Sequence, residues 1–367
     1  MADDGKHIDV IICGAGIMGI STAYFLAKRG VFSIVIEKDM IANAASGKAG
    51  GFLARDWNQG SPLDKFSEFS FDLHADLADE LNGEMEYGYR RTNCHTLTLD
   101  ENVSNSKTSH NKLPSWLDLV KNPSMQIGNL ETCAQVHPYQ FCQTLRKACS
   151  NMGVIFLTKN EVTNIAYSKE KPKIITMNNN KQLSADVVII AMGPWTGLAS
   201  KWFPTITSFY GQKAHSITVH PNALLSTDCI MATSGDDSHD VYPRPDGEAY
   251  VCGIAEKPKP SEKLNNPGSV NPSDGACEKL KTIADKMSSS LRDGDVTVEQ
   301  ACYLPLTQDG LPIIGKVPDF DGVYVAAGHG CWGILNAPAT GKCLSELVLN
   351  GVSTLEISAF SPSRKSV

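Results

Sequence analysis

A glycine-rich turn between two short apolar segments near the start of the chain constrains the fold most strongly. The first segment, Ile8–Cys13, is almost wholly apolar, which is typical of a strand buried on both faces. It leads into the turn Gly14-Ala15-Gly16-Ile17-Met18-Gly19. A helix is expected over residues 20–29 with Gly30 at its end, and a second strand over residues 31–36. This order of strand, G-x-G-x-x-G turn, helix and strand predicts a dinucleotide-binding unit.

Each glycine of the turn has a separate physical role in that prediction. Gly14 permits the tight turn, Gly16 lets the backbone approach a pyrophosphate, and Gly19 lets the helix pack closely on the strand. Ile17 and Met18, within the turn, are further candidate cofactor contacts, and the N-terminus of the helix that follows faces the phosphates. Directly after the second strand come Glu37, which can accept hydrogen bonds from a ribose diol, and Lys38 as a further candidate contact. The turn alone does not choose between FAD and NAD.

Composition narrows the class of protein. The 367 residues are 42% hydrophobic and 20% charged, as in a globular protein of two domains or one large interwoven unit. A net charge of −7 argues against a nucleic-acid partner. Eleven cysteines include no C-x-x-C pair, so we expect neither a disulfide framework nor a metal site, and a cytoplasmic location. The longest apolar run, Val187–Met192, is too short to span a bilayer, and we expect no signal peptide or anchor.

Two internal segments favour FAD. The first, Ala44–Phe52, is rich in small residues whose exposed N–H groups suit a pyrophosphate or a flavin edge, although a surface loop is the alternative. Its candidate cofactor contacts are Ser46, Lys48, Ala49, Gly50 and Gly51. The second is a buried strand at Val187–Met192 that breaks at a Gly-Pro turn, with Gly193 and Trp195 as candidate contacts. A helix over residues 142–152 and a strand over residues 154–157 precede it, with Val162 as a further candidate contact.

The C-terminal region is the most informative. A turn is expected over Asp309–Gly315, a strand over Val323–Ala327, and a second glycine loop over Gly328–Gly333. A helix is expected to start at Asn336, with Pro338 in its first turn. Its N-terminus would direct positive charge at the loop, where a reduced flavin accumulates negative charge. The candidate cofactor contacts here are Gly328, His329, Gly330, Gly333 and Ile334.

Taken together, GAGIMG, SGKAGGF, VVIIAMGPW, DGLPIIG and AAGHGCWGILNAPATG resemble the FAD-dependent D-amino-acid oxidase (DAO) superfamily over nearly the whole chain. Among its characterised members the chain resembles glycine oxidase and monomeric sarcosine oxidase, and SGKAGGFLARDW suggests a less characterised eukaryotic branch of oxidoreductases. The resemblance implies an α/β fold with a discontinuous Rossmann-like FAD-binding domain and an antiparallel-sheet substrate domain. The FAD domain would take residues 1–85, 136–204 and 301–367, and the substrate domain residues 86–135 and 205–300. Within the latter, residues 210–220 and 248–254 are expected to be antiparallel strands, and residues 100–114 and 257–275 exposed loops.

The resemblance also implies a reaction. Family enzymes oxidise a C–H bond beside an amine nitrogen by hydride transfer to flavin N5, the resulting imine hydrolyses, and dioxygen usually reoxidises the flavin. The expected partners are therefore a small amine or amino acid and O2 or another electron acceptor.

Several site residues follow from the resemblance. Cys302 aligns with the cysteine that bonds covalently to the flavin of sarcosine oxidase, although a structural cysteine is the alternative. Arg55 stands where sarcosine oxidase binds the substrate carboxylate, although a salt bridge is the alternative, and Arg244 is a weaker candidate for that role. His329 could tune the flavin, contact substrate or cap a helix. Trp332 could wall the pocket or belong to the core.

The chain departs from the family at three expected cations. Leu304 replaces a carboxylate-binding arginine of glycine oxidase, Leu335 lies near a carboxylate-binding lysine of sarcosine oxidase, and Val251 lies near its oxygen-activating lysine. Lys48 and Lys213 are the alternative cations. An amine, a bulkier N-substituted compound or a nearly inactive site all stay open as interpretations. The two leading hypotheses are an FAD-dependent amine or amino-acid oxidase or dehydrogenase and a flavoprotein that acts mainly in binding, assembly or trafficking. The C-terminal glycine loop disfavours an NAD enzyme.

Overall fold

The computed structural model describes residues 8–99, 113–118, 121–169, 172–234 and 237–364. The helices are α1 (Ile17–Ala27), α2 (Ala45–Lys48), α3 (Asp64–Leu81), α4 (Gly83–Tyr87), α5 (Pro138–Asn151), α6 (Ala276–Met287), α7 (Ser289–Arg292) and α8 (Gly333–Asn350). Short 3₁₀ helices lie at Gly193–Lys201, Ser261–Lys263, Pro267–Ser269, Gly330–Trp332 and Ser358–Phe360.

The strands form two large sheets and one small one. They are β1 (Ile8–Cys13), β2 (Ser33–Ile36), β3 (Phe52–Ala54), β4 (Arg90–Arg91), β5 (Cys94–Thr98), β6 (Lys121–Gly128), β7 (Cys133–Gln135), β8 (Ile155–Leu157), β9 (Val162–Ala166), β10 (Lys173–Met177), β11 (Gln182–Ile190), β12 (Tyr210–His220), β13 (Cys229–Ser234), β14 (Asp237–Pro243), β15 (Ala249–Ala255), β16 (Lys259–Pro260), β17 (Asp295–Leu306), β18 (Ile313–Lys316) and β19 (Val323–Ala327).

The first large sheet has a parallel centre. Its strand order is β18-β19-β11-β1-β2-β8, and β10 pairs with both β11 and β9. Strands β19, β11, β1, β2 and β8 run parallel, while β18 is antiparallel at the edge. Alternate residues of β1 enter different cores, Val10 and Ile12 on one face and Ile11 and Cys13 on the other. The prediction of a strand buried on both faces is confirmed.

The second large sheet lies over the C-terminal glycine loop. Its order is β16-β12-β15-β14-β13-β5-β6, with β17 paired to β12. All pairs are antiparallel except β13 with β5, so the antiparallel pairing expected for residues 210–220 and 248–254 is confirmed. One face packs on α6, around Val241, Val251 and Leu280. The other face carries the aromatic and sulfur-containing side chains that are described below with the site.

Several boundaries differ from the expectations, among them the start of α5 at Pro138 rather than residue 142. Helix α1 begins at Ile17 rather than residue 20, and Ile313–Lys316 belongs to strand β18 rather than to a turn. Helix α8 begins at Gly333 rather than Asn336, so Pro338 lies inside it. Pro338 has no N–H, and the Ile334 carbonyl that it would have paired with accepts a hydrogen bond from His74 Nε2 at 2.9 Å. The buried histidine thus makes an internal proline tolerable.

Of the two polar segments expected as exposed loops, the second contributes strand β16 to the second sheet. Residues 100–112 of the first lie outside the described residues. The second segment contains β16 and two 3₁₀ helices, and Pro267 reaches the cavity described below. The division into an FAD domain and a substrate domain stays a prediction, and its boundary at residue 301 falls within β17. Among the described residues, none of the helices combines the length and apolar character needed to traverse a bilayer.

Candidate functional site

A cavity opens at the carboxyl ends of the parallel strands. Cys13, Ile36, Ala191 and Ala327, at or next to the ends of β1, β2, β11 and β19, all line it. This is where open α/β sheets bind nucleotides. The lining includes most residues expected to bind a cofactor, namely Gly14, Gly16, Ile17, Met18, Glu37, Lys38, Ser46, Ala49, Val162, Gly193, Trp195, Gly328, His329, Gly330, Gly333 and Ile334.

The first glycine turn is held tightly between two strands. Gly14 has a φ of +109°, and a Cβ at this position would stand 2.3 Å from the Ala191 carbonyl oxygen. Its N–H donates to the Ile36 carbonyl at 2.8 Å. A side chain therefore has no room here, and the backbone itself forms the cavity wall.

Helix α1 starts at the cavity with no side chain capping it from Gly16. Ser46 Oγ accepts a hydrogen bond from Ile17 N at 2.9 Å, which joins the segment around α2 to the first turn of α1. The other N–H groups in the first turn of α1, which carry a partial positive charge, are directed at the cavity. This arrangement suits a pyrophosphate.

Glu37 stands at the end of β2 with both oxygens engaged. Oε2 accepts from Ala15 N and Oε1 from Asp39 N, each at 2.8 Å. Burial raises the pKa of Glu37, and the two N–H donors oppose that rise. A carboxylate accepts about four hydrogen bonds. Acceptor capacity therefore remains for the hydroxyls of a ribose.

The second glycine loop brings another helix start to the same cavity. Gly328, Gly330 and Gly333 line the cavity, and α8 begins at Gly333 with no side-chain cap. The N-terminus of an 18-residue helix thus contributes N–H donors and positive potential from the opposite end of the chain. Helices α1 and α8 also pack against each other, which fixes the two starts in position.

His329, in this loop, is buried and neutral. Thr340 Oγ1 donates its hydrogen to the Asn336 carbonyl at 2.8 Å, so it accepts from His329 Nε2 at 2.9 Å. Burial lowers the pKa of His329 to about 3. The imidazole therefore supplies no positive charge, and its bond is to a side chain of α8 rather than to the backbone groups of a helix cap.

Five residues expected to contact the cofactor do not line the cavity: Gly19, Lys48, Gly50, Gly51 and Cys302. Gly19 packs against Gly14, where a Cβ would stand 2.0 Å from the Gly14 carbonyl oxygen. Gly50 lies against the rings of Tyr242 and Tyr250. Lys48 Nζ donates to the Ala301 carbonyl at 3.0 Å, which ties the α2 segment to β17. These residues pack against neighbouring segments of the chain. They therefore support the cavity wall without lining the cavity.

The two arginines expected to bind a substrate carboxylate have other partners. Arg55 pairs with Glu68 at 2.7 Å and with Asp72 at 3.0 Å, and it does not line the cavity. Arg244 is buried, donates to the Ala49 carbonyl at 2.9 Å and lies over the Tyr250 ring at 4.7 Å. This geometry does not support the expected role of Arg55, because two carboxylates already neutralise its guanidinium. It leaves Arg244 as a buried cation beside the Ala49 segment.

At the three positions where the resemblance implies a cation, this chain has an aliphatic side chain. Leu304 lines the cavity, whereas Leu335 is buried under the first sheet and Val251 under the α6 face of the second. The alternative cation Lys213 donates to Ser273 Oγ at 2.8 Å and lies 3.5 Å from Glu256. Among the described residues, the charged side chains in the lining are Glu37, Lys38, Glu161 and Lys201. Lys38 pairs with Glu161 at 2.9 Å, and Lys201 Nζ lies 4.4 Å from the centre of the Trp202 ring.

Sequence reasoning missed part of the lining. Met192, Leu198 and Trp202 come from the 3₁₀ helix after β11 and its flanks, and Pro267 comes from a polar loop. The Gly-Pro turn at residue 193 signalled the first group, since a chain that turns at the end of a buried strand stays near the nucleotide site. No local signal identified Pro267.

The chain is similar to known proteins over most of its length. The model of a family described as FAD dependent oxidoreductase, DAO, matches residues 9–347. The chain belongs to the DAO family. It is 33% identical to a Schizosaccharomyces pombe protein that carries the name putative oxidoreductase, over 94% of this chain and 95% of that protein. It is 27% identical to the glycine oxidase of Bacillus licheniformis, over 98% of each.

Solved structures show the same fold for this DAO-family chain. The glycine oxidase of Geobacillus kaustophilus superposes with a TM-score of 0.82 at 21% identity, covering 98% of this chain and 99% of that one. The L-proline dehydrogenase of P. horikoshii superposes with a TM-score of 0.78 at 18% identity, covering 97% of each. The α/β fold predicted from the glycine motifs is confirmed.

The residues present fit FAD, the cofactor of this family. Two helix starts meet at one cavity, neither of them capped by the side chain of its own N-cap residue, and side chains are excluded from the cavity wall at Gly14. The phosphate-binding residues would be those of the α1 start, with Glu37 at the ribose and the loop Gly328–Gly333 at the flavin. The chain is thus an FAD-dependent oxidoreductase related to glycine oxidase.

Proposed function

We propose that this protein oxidises the C–N bond of an amine or an N-substituted amino acid, with O2 as the reoxidant. The observation that carries the proposal is the meeting of glycine turns from both ends of the chain at one cavity roofed by the second sheet. Relatives of this architecture include proteins named glycine oxidase, L-proline dehydrogenase and iminodiacetate oxidase, all of which act on compounds with a C–N bond.

Bound FAD would take a hydride from the carbon beside the substrate nitrogen. The residues of this chain provide the electrostatic environment for that step and exclude water from it. The start of α8 stabilises negative charge that develops at its end of the cavity. Leu304 and Pro305 of β17 and the adjoining Trp195 give the lining an apolar character that excludes water. The Nε2–H group of His329 donates to Thr340 Oγ1. Because burial lowers the pKa of His329, its imidazole is neutral and does not act as an acid at neutral pH.

A binding or assembly role with little turnover is the second candidate function. The aliphatic Leu304 in the lining and the salt-bridged Arg55 favour it, because the expected grip on a substrate carboxylate is missing at both positions. The two functions differ in whether any amine reduces the flavin.

An anaerobic flavin-bleaching screen tests the proposed function. We expect the purified yellow protein to lose its flavin colour with at least one amine or N-substituted amino acid, and to recover the colour when air is admitted. The matched alcohol of each amine serves as a control, since it lacks the nitrogen. A preparation that stays yellow with the whole panel would support the binding role instead.

The linkage between flavin and protein is a separate prediction. Burial raises the pKa of Cys302 to about 11, so its thiol stays protonated at neutral pH, and the residue does not line the cavity. A thiolate is the nucleophile that covalent attachment needs. We therefore propose non-covalent FAD, and we expect acid precipitation to leave all yellow colour in the supernatant, for the wild type and for Cys302→Ser alike. Colour in the wild-type pellet that disappears in the variant would restore the covalent hypothesis.

A further inference from the structure

A carboxylate stands on the face of the second sheet that is turned toward the glycine loop. In the pairing of β14 with β15, Asp240 lies opposite Cys252, and Tyr242 lies opposite Tyr250. The intervening Val241 and Val251 are fully buried in the core on the α6 face. Because side chains alternate along a strand, Asp240 and Tyr242 share the other face.

The Asp240 carboxylate has unused acceptor capacity. Oδ2 accepts a hydrogen bond from the Tyr242 hydroxyl at 2.8 Å, whereas Oδ1 is shut off from solvent without a hydrogen-bond partner. Among the described residues, Lys, Arg and His side chains all lie beyond ion-pair distance of Asp240. Burial raises its pKa to about 6, so most of the carboxylate is ionised at neutral pH. A buried, unpaired carboxylate is costly unless a ligand compensates it.

Aromatic rings stand beside this carboxylate. Phe52 stacks on Tyr242 with ring centres 5.6 Å apart, and Trp57 lies 5.1 Å from Phe52. Trp57 in turn meets Trp332 edge-on at 6.2 Å. These four rings form one cluster, and their faces attract cations while offering no partner to an anion.

The cluster borders the cofactor cavity. Cys331 lines that cavity, and the Asp240 charge is close enough to contribute to raising the pKa of the Cys331 thiol. Trp332 directly precedes Gly333, where α8 begins at the cavity. Gly50, whose Cβ position lies 2.5 Å from the Tyr242 ring, follows the cavity-lining Ala49. Asp240 itself does not line the cavity, but it lies behind the cavity wall, next to residues that do.

We propose that Asp240 binds the ammonium group of a cationic primary or secondary amine, with the aromatic cluster packing around the substrate. The inference rests on the proposed function and names its substrate class. A carboxylate on the carbon beside the nitrogen would be repelled by Asp240 and would find Leu304 where glycine oxidase has an arginine. The site therefore selects amines without that carboxylate over amino acids such as glycine and sarcosine.

Equilibrium binding to the full-length FAD-loaded protein tests the proposal without turnover. The probes are benzylamine, its neutral counterpart benzyl alcohol and the anion phenylacetate, read out by the perturbation of flavin absorbance under anaerobic conditions and by thermal shift. We expect the wild type to bind benzylamine at least tenfold more tightly than benzyl alcohol and to reject phenylacetate. This comparison needs no variant, so it holds whatever happens to the folding of a mutant.

Substitution of Asp240 tests whether this carboxylate is the group that binds the amine. Asp240→Asn, which keeps the hydrogen bond from Tyr242, should raise the Kd of benzylamine at least tenfold and leave that of benzyl alcohol unchanged. Asp321→Asn removes an exposed carboxylate at the turn before β19 and should change neither Kd. An unchanged benzylamine Kd in Asp240→Asn, or tighter wild-type binding of glycine or sarcosine than of benzylamine, would overturn the proposal. Asp240-dependent binding without bleaching by any amine would support this site and contradict the proposed oxidation.

Discussion

Gly14→Ala is expected to give a colourless, strongly destabilised protein. The new methyl group would stand 2.3 Å from the Ala191 carbonyl oxygen and 2.9 Å from its carbon, and both atoms are backbone atoms next to β11. The φ of +109° is also a conformation that alanine rarely adopts. Strain and clash together cost about 3 kcal/mol or more, and relieving them requires β1 and β11 to separate at the cavity wall. FAD retention after gel filtration and the thermal midpoint both report this loss.

Gly30→Ala is the matched control for this change. Gly30 also has a positive φ, +74°, but a Cβ there meets nothing within 4 Å. It lies beyond the end of α1, away from the cavity lining. We expect a cost of about 1–2 kcal/mol from backbone strain alone, with FAD retained. A yellow Gly14→Ala protein with wild-type affinity for FAD would contradict the assignment of this turn as the cofactor-binding wall.

The first glycine unit was predictable because its signals are local. The apolar run before Gly14 fixes β1, and the three glycines fix the turn and the close packing of α1. The start of α8 was misplaced for the opposite reason. Pro338 is a strong local signal for a first turn, yet His74, more than 250 residues earlier in the chain, compensates the Ile334 carbonyl and lets the helix begin sooner. A tertiary hydrogen bond between distant residues leaves no trace in local sequence.

The residues of the site also differ in whether a local signal or a tertiary contact determines their role. Residues that touch the cavity through backbone, such as Gly16 and Gly328, could be identified from the glycine motifs. Charged side chains could not be identified in this way, because the role of each one depends on the groups with which it pairs. Arg55 was assigned to a carboxylate by alignment, and only the fold reveals that Glu68 and Asp72 occupy it. Asp240 belongs to no motif, and only the pairing of β14 with β15 shows that it shares a sheet face with Tyr242 and the aromatic cluster.

Acidification from pH 7 to pH 5 is expected to destabilise the protein through two buried histidines. Burial lowers the pKa of His74 to about 4 and that of His329 to about 3, whereas an unfolded histidine titrates near 6.5. Below pH 6.5 the unfolded chain therefore binds more protons than the folded chain, and the free energy of unfolding falls as the pH falls. The two residues together account for a loss of about 4 kcal/mol by pH 5. Asp240 acts in the opposite direction by about 1 kcal/mol, since its folded pKa is raised to about 6.

Comparison of variants isolates the histidine contribution from all other titrations. His74→Gln keeps a donor for the Ile334 carbonyl, and His329→Gln keeps one for Thr340, but neither side chain titrates. Thermal midpoints measured from pH 7 to pH 5 should therefore fall less steeply in each variant than in the wild type, and least steeply in the double variant. His220→Gln replaces an exposed histidine and serves as the control for the substitution itself. Identical slopes in the wild type and the double variant would show that neither imidazole is held neutral by burial, and the description of His329 as an uncharged wall of the flavin site would then have to be abandoned.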